Sequence, residues 1–134
     1  MVSLISIYTG GVLTLFMAIF HTRFYRMFNW KSAFGKLNAR DSRVLYSIHL
    51  ALSLLFFAIG GLSLIYACEL SRSAGLAFGL NIALSAFWIW RLIWQLTYFK
   101  SSKGRRQPAI NIILIVVFFL LAIAYMIPPV LAAI

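Results

Sequence analysis

Four apolar stretches dominate the chain, at about residues 4–24, 44–67, 75–99 and 109–131. Each is long enough to cross a hydrocarbon core of about 30 Å, which takes roughly 20 helical residues. A backbone in lipid must satisfy its own hydrogen bonds, so a segment of this length and continuity is a helix and not an open strand. The pattern predicts an all-α fold: one domain over residues 1–134, built as a bundle of four transmembrane helices. Composition agrees. Of the 134 residues, 63% are hydrophobic and only 10% are charged, whereas a soluble domain carries about a quarter charged residues.

The charges that remain set the orientation. Arg23, Arg26, Lys31, Lys36, Arg40 and Arg43 lie between the first two apolar stretches, beside a single acidic residue, Asp41. Lys100, Lys103, Arg105 and Arg106 lie between the third and fourth. The middle connection carries only Glu69 and Arg72, which nearly cancel. Positive residues in short loops stay cytoplasmic, so both termini are expected on the non-cytoplasmic side. The N-terminus has no basic residue ahead of its apolar run, unlike a cleaved signal peptide, and is read as part of the first helix. A net charge of +10 would suit a nucleic-acid binder, but these residues flank membrane spans and face anionic headgroups instead. The segment RFYRMFNWKSAF mixes rings with basic residues, the composition of a stretch lying in the headgroup layer around Trp30. It is read as an interfacial anchor or as a site for an acidic lipid.

Helical period sorts the faces of the spans. Ser3, Ser6, Gly10, Thr14, Met17 and His21 form one stripe in the first. Tyr46, His49, Ser53, Gly60, Ser63 and Ala67 form another in the second, with Phe56 or Phe57 between. Asn81, Ser85, Trp88, Arg91, Gln95 and Tyr98 share a face of the third. The fourth has Asn111 near its start and is then almost uniformly apolar, and Pro128 and Pro129 are expected to close it. Small and polar residues mark helix contacts in membranes, and the glycine pairs at 10–11 and 60–61 are read as such contacts. The first three helices are therefore expected to share a polar seam, with the fourth laid outside, against lipid or a partner subunit.

Three ionisable residues stand inside the spans. At 1.5 Å of rise per residue, His21, His49 and Arg91 fall at similar depth near the cytoplasmic side, with Gln95 one turn from Arg91 and Tyr46 near His49. An arginine in lipid costs about 2.5 kcal/mol or more unless it finds a partner. With Glu69 on the other side and Asp41 in the loop, Arg91 is expected to meet carbonyls, Gln95, a histidine, a lipid phosphate or an acidic ligand. Trp88, Trp90 and Trp94 are candidates to stack on its guanidinium. The candidate ligand-binding set is Arg91, Gln95, His21, His49, Tyr46 and Trp88. A different reading makes His21 and His49 the axial ligands of a b-type haem, with Arg91 facing a propionate. No zinc set is complete, and Cys68 alone forms neither an internal disulfide nor a multi-cysteine site. No buried carboxylate orients a histidine for nucleophilic catalysis, so nothing in the residues demands an enzyme.

The runs FHTRFYRMFNW, RVLYSIHLALSLLFFAIGGLSLIYACEL and FWIWRLIWQLTYF, over about residues 20–99, resemble those of small four-helix bacterial inner-membrane proteins that have no assigned activity. The resemblance implies a bacterial inner-membrane location and adds no function. Three functional readings follow from the residues. One is a non-catalytic accessory or assembly subunit of a membrane complex. The second is a small oligomeric transporter or an anion- or lipid-binding protein using Arg91, His21, His49 and Gln95. The third is a haem-binding electron carrier.

Overall fold

A computed structural model of the chain describes residues 1–97 and 108–134. The described residues fold as six helices: α1 (Val2–Met27), α2 (Trp30–Phe34), α3 (Ala39–Ile65), α4 (Ala67–Arg72), α5 (Leu76–Thr97) and α6 (Pro108–Ala133). α1, α3, α5 and α6 are long and apolar enough to cross a membrane. The chain is thus an all-α, four-helix, multi-pass membrane protein, as its hydropathy requires. The predicted end of the third span at residues 98–99 and the basic residues Lys100, Lys103, Arg105 and Arg106 lie outside the described residues.

Helix ends depart from hydropathy where local chemistry takes over. α3 begins at Ala39, five residues before its apolar stretch, because Asn38 caps it. The Asn38 Oδ1 accepts from the Asp41 backbone N–H at 2.8 Å, and its Nδ2 donates to Asp41 Oδ2 at 2.7 Å. The Asn38 side chain thus serves as N-cap and also holds the Asp41 carboxylate. Asp41 is therefore in the first turn of α3, not in the loop. The expectation that Pro128 and Pro129 close the last helix is also corrected, since α6 runs through both to Ala133. A proline removes one backbone donor and crowds the preceding turn. In a membrane helix, neighbouring helices tolerate such a lesion, and here both prolines are buried against the bundle.

Most of the polar stripes point inward as the period predicts, although Tyr46 of the second is 44% exposed. Ser6, Gly10, Thr14, Met17 and His21 are buried in α1, and His49, Ser53, Phe56, Gly60 and Ser63 in α3. Asn81, Ser85, Trp88 and Gln95 are buried in α5. Phe56 takes the inward position and Phe57 the exposed one.

The partners of these stripes differ from the expected three-helix seam. α1 packs along both α3 and α6, and α5 packs along α6. α6 is therefore a central element, with 39% of its span buried, the same as α1 and above the 22% of α5. Its inward face is Leu114, Val117, Phe118, Leu121, Ala122 and Tyr125, a stripe of helical period hidden in an apolar background. α5, not α6, is the helix that exposes most of itself.

Close approach explains this order. A Cβ placed on Gly11 would meet Leu64 Cδ2 at 2.7 Å, and one on Gly60 would meet Leu15 Cδ2 and Cγ at 2.8 Å and the Leu15 backbone nitrogen at 3.0 Å. At Gly10 it would press on the Tyr125 ring at 3.1 Å. Tyr125 then bolts three helices together. Its hydroxyl lies 2.8 Å from Ser63 Oγ on α3 and 3.3 Å from Thr14 Oγ1 on α1. Ser85 of α5 donates to the Ala122 carbonyl of α6 at 2.8 Å. At the other end, Asn81 Nδ2 donates to the Leu70 carbonyl at 2.8 Å and ties α4 to α5.

Gly60→Val should lower the unfolding free energy in detergent by about 1–3 kcal/mol, the cost of overpacking. Gly61→Val should leave it nearly unchanged, because nothing lies within 4 Å of a Cβ there. Equal effects at the two neighbours would contradict the α1–α3 contact.

Candidate functional site

α1 and α3 run antiparallel, so the contact at Gly11 and Gly60 continues towards the basic end as Met17, then Phe56, then the two histidines. The rings of His21 and His49 are in contact, with centroids 4.5 Å apart and planes tilted by 34°. Rings enclose the pair. Phe24 and Phe56 stand edge-on to His21 at 4.8 and 5.7 Å. Trp30 of α2 stands edge-on to His49 at 5.1 Å, so the short α2 covers the pair from the basic end. Both histidines are buried, and His21 Nε2 and His49 Nδ1 have no hydrogen-bond partner among the described residues. A buried polar atom left unpaired costs about 1–3 kcal/mol.

His49 is also the floor of an open-sided cleft of about 320 Å³ between α1 and α3. Thr22, Tyr25 and Arg26 form its α1 wall, and Tyr46 and Leu50 complete the α3 wall. Tyr25 and Tyr46 bridge the two walls with ring centroids 5.5 Å apart. The cleft thus combines one guanidinium, one imidazole, two phenols and a hydroxyl, with no carboxylate. Asp41 is engaged by Asn38, and Glu69 lies in α4 at the opposite end. A cavity so rich in donors favours an oxyanion.

A ladder of rings links the histidines to the rest of the predicted set. Phe56 stacks on Trp88 at 5.5 Å, and Trp88 stacks on Phe118 at 5.7 Å. The Arg91 guanidinium lies over Phe118, 5.0 Å from its centroid. Arg91 Nη1 donates to Gln95 Oε1 at 3.4 Å, and Gln95 Nε2 donates to Asn111 Oδ1 at 2.6 Å on α6. The lone polar residue at the start of α6 is therefore the anchor of the α5 network.

The structure divides the six predicted residues. His49 and Tyr46 line the cleft, with His21 directly behind. Arg91 and Gln95 form a second polar group on the α5–α6 side. Trp88 sits between the two as packing, only 1% exposed. Thr22, Tyr25 and Arg26 were not in the predicted set. Their sequence signal was the helical register of Thr22 and Arg26, hidden because Arg26 counts among many basic residues at the helix end. Phe118 was likewise invisible in a run of apolar residues.

The haem reading does not fit this arrangement. Axial ligands bind from opposite faces of the macrocycle, and two imidazoles in ring-to-ring contact leave no space to thread one between them. A zinc ion needs three or four ligands, and no group of three His, Cys, Asp or Glu side chains comes together among the described residues. No protein-family model, curated protein or solved structure matches the chain.

Gln95→Leu should destabilise the protein by about 1–3 kcal/mol, because it leaves the Asn111 amide oxygen without its donor. Adding Asn111→Leu should recover part of that loss, which a double-mutant cycle in detergent would read. Strict additivity would show that the 2.6 Å bond does not form.

Proposed function

We propose that the chain is a small membrane protein that binds an acidic ligand in the cleft between α1 and α3, at the cytoplasmic face of a bacterial inner membrane. The observation that carries this reading is His49. It is a buried imidazole at the floor of a cleft whose one full charge is the cation of Arg26. Intramembrane ionisable residues mark functional sites by default.

The division of labour follows from the chemistry. Arg26 supplies charge and a planar fork for an oxyanion. His49 offers a donor from the floor, and Tyr25, Tyr46 and Thr22 supply the rim. His21 fixes the His49 ring from behind. Arg91, held by Gln95 and lying over Phe118, contributes positive potential in a low-dielectric interior without entering the cleft.

Binding is tested by thermal unfolding in a zwitterionic detergent, with inorganic phosphate added at constant ionic strength. A ligand held only by the folded state raises stability with its concentration, by about 2.7 kcal/mol at a hundred times the dissociation constant. Wild type is expected to show a saturable rise that Arg26→Ala and His49→Gln abolish. The same rise in all three proteins, or none in wild type, would overturn the reading.

The proposed orientation has its own test. A fluorescent-protein reporter fused after Ile134 should stay dark and an alkaline phosphatase reporter should be active, because both termini face away from the cytoplasm. The opposite pair of results would invert the topology and place the cleft on the other face.

A further inference from the structure

Resting on that reading of the cleft, we infer that its ligand is the phosphate of an anionic phospholipid, which enters sideways from the bilayer with its acyl chains along the α1–α3 groove. The phosphate chemistry alone would serve a lipid or a soluble phosphate ester equally. The walls below the cleft separate them. On α1, Ile19 lies one turn deeper than Thr22 on the same face, and it is 53% exposed. On α3, Leu54 lies about one turn deeper than Leu50, and it is 71% exposed. Helical neighbours at three and four residues share a face, so each polar wall continues directly into an apolar one.

The order of these groups along the membrane normal matches that of a phospholipid. Arg26 stands in the last turn of α1, at the level where a lipid phosphate sits, with the exposed Arg23, Lys31, Lys36, Arg40 and Arg43 around it. Tyr25 and Tyr46 come with it at the interface, where tyrosine is favoured. Leu50 lies in the cleft wall itself, so the apolar lining begins inside the site. A soluble anion has no use for that lining. A volume of about 320 Å³ accommodates a phosphodiester with a small polar head such as glycerol.

The test is native mass spectrometry of the full chain, exchanged from detergent into nanodiscs of mixed phosphatidylglycerol and phosphatidylcholine and then released. Wild type is expected to retain one phosphatidylglycerol in preference to phosphatidylcholine. Arg26→Ala should reduce that retention about tenfold, the worth of one charge-assisted contact. Leu54→Ser, at a position with no buried contacts to lose, should reduce lipid retention while leaving the thermal response to inorganic phosphate intact. If phosphate stabilises the protein but phosphatidylglycerol is retained no better than phosphatidylcholine, the lipid assignment falls and the anion site stands. If neither binds, both fall. Equal phosphatidylglycerol retention by Arg26→Ala and wild type would overturn the placement of the phosphate in this cleft.

Discussion

The approach of α1 to α3 across Gly11 and Gly60 is the constraint on which the rest of the bundle depends. Lipid tails are as apolar as leucine, so no hydrophobic force drives these helices together, and association rests on packing and interhelical hydrogen bonds. Leu15 and Leu64 fill the space that side chains at Gly60 and Gly11 would occupy. With the backbones that close, Tyr125 of α6 reaches both Ser63 and Thr14, and α6 is drawn in beside α1. α5 then follows α6 through Ser85 and Gln95.

The site lies towards the basic end of the same interface, where the stripe residues change size. Glycine, serine and threonine line α1 and α3 where they run closest, whereas the residues nearer the basic end are Met17, Phe56, His21 and His49. Larger side chains hold the helices apart enough to leave a cleft on one flank and a ring ladder on the other. That ladder, from the histidines through Phe56 and Trp88 to Phe118, joins α3 to α5 without backbone packing between them. The polar groups are thus not one seam but two. One opens on the flank of α1 and α3 beside Arg26 and His49, and one lies between α5 and α6 around Arg91, Gln95 and Asn111.

Much of this was readable in the residues, and the exceptions share a cause. Four spans, the inward stripes and the equal depth of His21 and His49 follow from hydropathy, helical period and rise per residue. The role of α6 did not, because a uniformly apolar helix carries no amphipathic signal. Ala122 and Ala124, small residues in a run of Ile, Leu and Phe, and the single Tyr125 were the marks of its buried face. The early start of α3 was written in Asn38 and Asp41, a capping pair that span hydropathy overlooks. The separation of Arg91 from the cleft was not legible, since depth along the normal says nothing about which side of a bundle a residue faces.

On the proposed reading, His49 contacts the phosphorus-bearing group of a bound ligand. Because the chain has only two histidines, the most direct measurement is nitrogen–phosphorus dipolar dephasing by solid-state NMR, on histidine-labelled protein in phosphatidylglycerol bilayers, with His21→Gln to assign the signals. The account predicts that the His49 imidazole signal is dephased by lipid phosphorus and that Arg26→Ala removes the effect. A His49 signal untouched by phosphorus, in a protein that keeps its fold, would contradict it.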